Sequence, residues 1–354
     1  MSLSIGIVGL PNVGKSTLFT ALTKKGGFAA NYPFATIDPN VGVVAVPDER
    51  LDALAKIDNP AKIIPATVEF VDIAGLVAGA SLGEGLGNQF LAHIRETDAI
   101  CEVVRSFSDP DVAHVAGRVD PLSDVDTIKT ELILADMATV EKAIPRLEKD
   151  VRRDKAFEKK LAVAHKALAG LNEGHRARSL ELSTEEQAAL YDLHLLTMKP
   201  MLYIANVDED QLTAGLPSID GMEPVAICAK TEADLAELDP DEADEYLASL
   251  GLAESGLTRL VKEAYRLLGL QSYFTSGEKE TRAWTIPIGA KAPQAAGIIH
   301  SDFERGFIKA ETAGFDDYIA HNGEAGCRAV GRLRQEGKDY VVRDGDVMHF
   351  KFNV

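Results

Sequence analysis

The chain has 354 residues, of which 46% are hydrophobic and 26% are charged. This composition excludes wholesale disorder, because it supplies enough buried apolar surface to offset the loss of chain entropy, and the length predicts more than one structural unit. Asp and Glu (55) outnumber Lys and Arg (37), which gives a net charge of −18; the protein repels nucleic acid at long range, so an RNA contact needs a local basic patch.

Five short β-rich runs alternate with helical stretches along the first two thirds of the chain, at residues 3–8, 67–71, 100–104, 201–205 and 224–228. This alternation predicts an α/β fold in which a parallel sheet is flanked by helices. We place this nucleotide-binding domain at residues 1–270.

A helical insertion is predicted at residues 128–195, between the third and fourth runs. Apolar residues spaced 4, 3, 4, 3 and 4 apart predict two paired helices, beginning with Ile133, Met137, Val140, Ile144, Leu147 and Val151 and repeating from Phe157 to Leu171. Pro145 should kink the first helix, and no Gly or Asn marks the turn. A capping box at Ser183 starts a further helix. The insertion also carries a cationic segment, made of Lys149, Arg152, Arg153, Lys155, Lys159 and Lys160.

Beyond residue 269 the pattern changes to strand-like pieces at 282–288, 307–311 and 340–352, with a helical stretch at 294–304. We predict a separate small α+β domain at residues 271–354.

Cysteine usage and hydropathy limit the cellular compartments in which the protein can be expected. Cys101, Cys228 and Cys327 are far apart, so neither a disulfide framework nor a zinc ribbon is indicated. The early apolar run lacks the marks of a signal peptide, and no stretch of about twenty uncharged apolar residues occurs. We expect a cytoplasmic protein without a membrane span.

A phosphate-binding loop follows the first strand. Gly9-x-x-x-x-Gly14-Lys15-Ser16 lies between this strand and a helical pattern, which is the context that the motif requires. Backbone N–H groups and the positive end of the helix would hold the phosphates. Lys15 should reach the β- and γ-phosphates, and the Ser16 hydroxyl should bind Mg²⁺.

Two further positions are metal candidates. Asp72, followed by Gly75 three residues later, ends the second run and could hold the water shell of the metal; by itself this pair is also a common turn. Thr36 lies between the two motifs, where a loop threonine could close on Mg²⁺ and the γ-phosphate, or it is a surface residue.

Asn206-Val207-Asp208-Glu209 stands where guanine-binding proteins carry Asn-Lys-x-Asp. The guanine pattern uses an Asp carboxylate to accept from two donors that adenine lacks, whereas Glu209 is longer and Val207 has no lysine stem. The Asn206 amide can accept from the adenine 6-amino group, so we favour ATP over GTP. Residues 228–230 (Cys-Ala-Lys) are either a last base-contacting loop or only a strand end.

The group that promotes hydrolysis is open. GTPase switches carry a Gln directly after the Asp-x-x-Gly motif, but this chain has Leu76. Even with that Gln, unassisted turnover in the Ras type is on the order of 10⁻⁴ s⁻¹. His114, in a polar loop after the third strand, is the candidate because imidazole can orient or deprotonate water near neutral pH; the alternative is a loop histidine without a role.

Several longer motifs occur in this order: GLPNVGKST, YPFATIDPNVG, DIAGLVAGAS, GEGLGNQF and NVDE. With the C-terminal segments TSGEKETRAWT, APQAAGIIHSDFERGFIKAE and YVVRDGDV, they make the chain resemble the YchF family, the Obg-like ATPases, over nearly its whole length. The fold class is then a P-loop NTPase with a coiled-coil insertion and a C-terminal TGS domain, a ubiquitin-like β-grasp unit.

This resemblance implies ATP preference, slow ATP hydrolysis, and association with the large subunit or the whole ribosome in translational or stress control. By motif position, Ser16 and Thr36 would hold Mg²⁺ and Asn206 with Val207 the adenine, while the phosphates would be held by Asn12, Val13, Gly14, Lys15, Ser16 and Thr17. Leu76 fits the family's hydrophobic replacement of the catalytic Gln. Ala78 and Leu82 depart from lysines expected beside the switch.

Three functions compete at this point. The first is an ATPase whose nucleotide state alters a ribosome-facing surface. The second is a nucleotide-independent ribosome- or RNA-binding module that uses the cationic segment to contact rRNA, and the third is a true GTPase switch.

Overall fold

The computed structural model describes residues 3–25, 40–73, 86–109, 112 and 118–353. These residues form two compact units. The first lies within Met1–Gly27, Pro33–Gly42 and Glu69–Leu257, and the second within Phe28–Tyr32, Val43–Val68 and Thr258–Val354. No helix in the described ranges combines the length and apolar character needed to cross a membrane.

The first sheet confirms the predicted α/β fold. Its strands follow the order β2 (Val41–Ala45), β4 (Thr67–Asp72), β1 (Ser4–Val8), β5 (Ala99–Arg105), β6 (Met201–Asn206) and β7 (Val225–Ile227). The pairs β1–β4, β1–β5, β5–β6 and β6–β7 are parallel. The carboxyl ends of these strands therefore meet at one edge, which is where open α/β sheets bind ligands.

Helices connect the strands of the first unit: α1 (Lys15–Lys25), α3 (Leu86–Glu96), α4 (Pro121–Arg153), α5 (Glu158–Asn172), α6 (Thr184–Leu190), α7 (Ala229–Leu235) and α8 (Pro240–Ser249). Short 3₁₀ turns occupy Lys155–Phe157, Ala177–Ser179, Tyr191–Leu193, Leu196–Met198 and Glu209–Gln211. The capping box predicted at Ser183 is present.

The helical insertion forms a hairpin of α4 and α5, and α4 continues through Pro145. Its core contains Ile133, Val140, Leu147, Ala164 and Leu171, as the spacing predicted. Phe157 is an exception, since it is 39% exposed at the turn. The turn itself is made by Asp154, whose carboxylate accepts from the Ala156 N–H at 2.8 Å; Asp is a natural cap of this kind, although no Gly or Asn is present.

The second unit has a mixed sheet in the order β11 (Arg334–Glu336), β10 (Phe307–Gly314), β12 (Asp346–Phe352), β8 (Leu270–Thr275), β9 (Thr281–Pro287) and β3 (Ile63–Ile64). Its helices are α2 (Glu49–Asp58), α10 (Ala292–Ile299), α11 (Ser301–Arg305), α12 (Phe315–Ala320) and α13 (Glu324–Ala329), and α9 (Gly256–Leu267) leads into it. The strand predicted at 340–352 is too long, because β12 begins only at Asp346.

The second unit draws on a segment far from the C terminus. Arg50 of α2 pairs with Asp344 at 2.7 Å, and Asp58 accepts from the Tyr318 hydroxyl at 2.8 Å. Residues 43–68, which we placed in the nucleotide-binding domain, therefore pack with the C-terminal residues. The boundary at residue 270 and the TGS assignment stay predictions.

A buried carboxyl group lies in the middle of β5. Glu102 is 1% exposed, and neither carboxyl oxygen has a hydrogen-bond partner among the described residues. Burial raises the pKa of Glu102 well above its ordinary value, although the Arg176 charge partly opposes this rise. The folded state thus retains a proton that the unfolded state releases above about pH 4.5.

We predict that Glu102→Gln changes the pH dependence of stability. In the wild type this group stabilises the fold below the unfolded pKa, and the contribution is lost as pH rises towards the folded pKa. The amide cannot ionise, so the free energy of unfolding of the variant should rise relative to that of the wild type as the pH increases from 5 to 8. Urea unfolding at four pH values measures this difference. Glu148→Gln, on the exposed face of α4, is the control, and a pH-independent difference for Glu102→Gln would contradict the prediction.

Candidate nucleotide-binding site

The phosphate loop joins β1 to α1. The Leu18 N–H donates to the Gly14 carbonyl at 3.0 Å, which closes the first turn of α1. Asn12 (φ 64°) and Gly14 (φ 90°) adopt left-handed conformations. A Cβ atom at Gly14 would lie 2.2 Å from the Asn206 amide nitrogen, and one at Gly9 would lie 2.8 Å from the Val103 carbonyl oxygen. Only glycine fits either position, which explains both glycines of the motif.

Side chains of the loop divide into buried and accessible groups. Val13 is buried in the core, and Lys15 is only 8% exposed, whereas Asn12, Ser16 and Thr17 are exposed. A pocket opens over the loop, and its lining includes Leu10, Pro11, Asn12, Gly14, Lys15, Ser16 and Thr17. Ser16 is therefore an exposed residue of the pocket lining.

Lys15, which lines this pocket, forms an ion pair with Asp72. The pairing of β1 with β4 aligns Ile7 with Asp72, so the carboxylate stands at the same sheet edge as the loop. The structure therefore brings the Asp72 carboxylate next to Lys15, which is adjacent to Ser16 but 57 residues away from Asp72 in the chain. Ammonium, hydroxyl and carboxylate are the donor set that a magnesium–triphosphate requires.

Asn206 ties the phosphate loop to the neighbouring strand end. Its amide nitrogen donates to the Val13 carbonyl at 2.9 Å, and its amide oxygen accepts from the Ala229 N–H at 3.0 Å. The side chain is 5% exposed. Both ends of the amide thus hold backbone groups; an amide oxygen keeps a second lone pair for a base.

The other two predicted base-contacting residues differ from each other. The Val207 side chain is 1% exposed and packs with Ala205, Leu212 and Cys228, and its N–H donates to the Ile227 carbonyl at 2.9 Å. A contact of Val207 with adenine could then come only from its carbonyl oxygen. Glu209 is exposed, and one carboxylate oxygen accepts from Thr231 and Tyr246.

The remaining candidates lie outside the described residues. These are His114 and Thr36, together with Gly75, Leu76, Ala78 and Leu82. Their proposed roles stay predictions.

Arg105, which sequence analysis missed, organises the segment that follows β5. Its guanidinium is buried and donates to the Val112 carbonyl at 2.9 Å, the Asp109 carbonyl at 3.0 Å and the Phe107 carbonyl at 3.4 Å. The sequence does contain a signal for this role, namely an arginine at the end of an apolar strand. Once such an arginine is buried, it needs polar partners. Position 114 comes two residues after Val112 in the chain.

Comparison with known proteins gives the family. A domain family of YchF GTPases, described as a protein of unknown function, matches residues 270–353, and a family described as a 50S ribosome-binding GTPase matches residues 4–135. The chain is 55% identical over 366 residues to a protein of Pasteurella multocida named ribosome-binding ATPase YchF, and each chain is covered completely. The chain belongs to the YchF family. 

Other YchF relatives agree with this assignment. The protein of the same name from Escherichia coli O157:H7 is 55% identical over 364 residues, again with both chains fully covered. The solved structure of the Schizosaccharomyces pombe YchF GTPase is 40% identical and superposes with a TM-score of 0.90, covering 99% of this chain and 98% of that one. The P-loop fold with a helical insertion and a YchF C-terminal domain is thereby confirmed.

Proposed function

We propose that this chain is a Mg²⁺-dependent ATPase that prefers ATP to GTP and acts at the ribosome in the cytoplasm. The observation that carries the proposal is the phosphate loop with Lys15, Ser16 and Asp72 at one sheet edge. The relatives support it, since they are named ribosome-binding ATPases.

Each residue of the loop has a defined task in this proposal. N–H groups from Asn12 to Thr17 bind the phosphate oxygens, and Lys15 neutralises charge at the β- and γ-phosphates. Ser16 and Thr36 would ligate Mg²⁺, and Asp72 would hold its water molecules. When bound, the ion would neutralise negative charge on the phosphates.

Water activation is assigned to His114. Leu76 stands where GTPase switches carry their glutamine, so another group must orient the attacking water. The proposal rests on the chain position of His114, shortly after the segment that Arg105 holds. A histidine without a role is the alternative, and His114→Ala with unchanged kcat would select it.

Nucleotide preference is the sharpest test of the proposal. Equilibrium binding of ATP and GTP should be measured with Mg²⁺ and again with excess chelator. We expect ATP to bind at least about tenfold more tightly than GTP, and chelation to weaken ATP binding strongly. A true GTPase is the second candidate, because the matched N-terminal family is described as a GTPase; tenfold tighter binding of GTP would establish it and exclude our proposal.

The ribosome contact is proposed to involve one face of α4. Lys142, Arg146, Lys149 and Arg153 are spaced 4, 3 and 4 residues apart, and all four are exposed. This spacing puts them on one side of a helix, along about 16 Å. None of the four forms an ion pair with a described residue. We call this set the α4 ridge.

The rest of the cationic segment is already partly neutralised. Lys159 pairs with Glu185, and Lys160 pairs with Asp192 at 2.6 Å. An unpaired row of cations in a protein of net charge −18 is suited to the phosphates of rRNA, which release counterions on binding. The α4 ridge thus replaces part of the predicted segment as the proposed rRNA contact, on the large subunit or the whole ribosome.

We predict that replacing all four residues of the α4 ridge by Gln weakens ribosome binding by at least about tenfold at low salt. The slope of the logarithm of affinity against the logarithm of salt concentration should fall by about three, since about 0.7 counterion is released per contact with single-stranded nucleic acid. Sedimentation with ribosomes at several salt concentrations measures both quantities. Lys159→Gln with Lys160→Gln is the matched control and should change the slope by less than about one; equal losses in both variants would exclude the ridge.

A further inference from the structure

Two hydroxyl groups hold the Glu209 carboxylate beside the proposed base site. Glu209 Oε2 accepts from Thr231 Oγ at 2.9 Å and from Tyr246 Oη at 2.8 Å. Thr231 lies in the first turn of α7, and Tyr246 lies in α8. A carboxylate oxygen offers two lone-pair positions, so these two donors fill the acceptor capacity of Oε2.

The start of α7 fixes two side chains at once. Ala229 donates its N–H to Asn206, and Thr231, two residues later, donates to Glu209. Thr231 is only 3% exposed, so its hydroxyl cannot turn to solvent instead. The hydrogen bonds from Tyr246 and then Thr231 hold the pKa of Glu209 below its ordinary value. At neutral pH the carboxylate is therefore an acceptor only, in a fixed orientation.

Guanine and adenine make different demands on this group. Guanine presents a ring N–H and a 2-amino group side by side, and a carboxylate binds them with one oxygen each. Glu209 has only Oε1 left for such a pair. Adenine has no N–H on its six-membered ring, so it has no pair of donors that needs both oxygens.

We infer that Thr231 and Tyr246 are positioning residues that set the nucleotide preference, by occupying the Glu209 oxygen that a second bond to guanine would need. This inference rests on the proposed function, because it explains the preference for ATP at the same site. Neither residue contacts the nucleotide in this account; both act through Glu209.

The test compares ATP and GTP affinities of purified full-length variants in the presence of Mg²⁺. Thr231→Val with Tyr246→Phe removes both hydroxyls while keeping the side-chain volumes nearly constant. We expect the ratio of GTP to ATP affinity to rise at least about tenfold, with ATP affinity changed less than about threefold. Thr231→Ser, as a single substitution, retains both hydroxyl groups and should keep the wild-type ratio.

A third substitution shows whether the gain runs through the carboxylate. Adding Glu209→Gln to the double variant should abolish the gain in GTP affinity, because an amide offers one acceptor oxygen and a nitrogen that repels the guanine donors. Loss of folding would lower both affinities together and leave their ratio unchanged. If the double variant does not fold, Tyr246→Phe alone takes its place, because this phenol is partly exposed. It should give a smaller rise in the ratio of GTP to ATP affinity.

The outcomes separate this inference from the proposal beneath it. A wild type that prefers GTP overturns both. A wild type that prefers ATP, combined with a double variant that retains its ATP affinity and has an unchanged ratio, overturns the role of Thr231 and Tyr246 and leaves the ATP preference standing. A gain in GTP affinity that survives Glu209→Gln also overturns the role.

Discussion

Replacing Lys15 with alanine should lower kcat for ATP hydrolysis by at least about a thousandfold. Lys15 lines the phosphate pocket, is largely buried, and pairs with Asp72. The substitution removes a cation that would stabilise charge on the transferred phosphoryl group, an effect worth about 10² to 10³ for a single fixed donor. It also leaves the Asp72 carboxylate without its partner next to the triphosphate, which adds repulsion. Single-turnover hydrolysis with Mg²⁺ measures the change.

The control is Lys56→Ala, on the exposed face of α2, which should retain wild-type turnover. A loss smaller than tenfold for Lys15→Ala would contradict the assignment of the phosphate loop as the catalytic site.

Lys15→Ala also separates two proposals about ribosome binding. If association is lost together with turnover, the nucleotide state controls binding, and if association is retained, the chain is a nucleotide-independent module.

Asn206→Ala should destabilise the first unit by about 2 to 6 kcal/mol and weaken binding of both nucleotides by about a hundredfold. The substitution removes two buried hydrogen bonds and leaves the Val13 carbonyl and the Ala229 N–H without partners. Each buried group that loses its partner costs about 1 to 3 kcal/mol. These groups belong to the phosphate loop and to the start of α7. Without the Asn206 side chain, the distance between these two segments is no longer fixed. Denaturant unfolding and equilibrium binding measure the two effects.

Gln187→Ala provides the matched control for Asn206→Ala. The Gln187 amide also donates to a backbone carbonyl, that of Leu182 at 3.2 Å, but it does so on an exposed helix. We expect a loss below about 1 kcal/mol there, since water replaces the bond. Similar losses for the two variants would show that Asn206 is an ordinary polar residue rather than a link between loops.

The sequence predicted the nucleotide site where local patterns suffice. The spacing from Gly9 to Ser16 requires a loop between a strand and a helix, and the structure has both. The role of Asn206 as a link between loops was not predictable, because its two partners are Val13 and Ala229, far away in the chain. A base-binding motif indicates which residues lie near a ligand, but it does not show which hydrogen bonds their side chains make within the protein.

The helical insertion shows a similar limit. The apolar spacing predicted the buried positions of α4 and α5 but included Phe157, which the turn at Asp154 leaves exposed. The apolar spacing can continue through a turn in the sequence, although the helix itself ends there. Likewise, six cations close in sequence predicted one basic segment, and only the structure shows that Glu185 and Asp192 approach two of them.

The discontinuous second unit has a consequence for biosynthesis. Helix α2 and strand β3 leave the ribosome early, but the sheet and helices that cover them are encoded in the last hundred residues. During translation the apolar side of α2 therefore stays unburied until the C-terminal residues of the second unit have been synthesised. A fragment that begins at residue 270 would lack that helix altogether, so the C-terminal family domain, expressed by itself, should expose the surface on which Asp58 and Arg50 now pack.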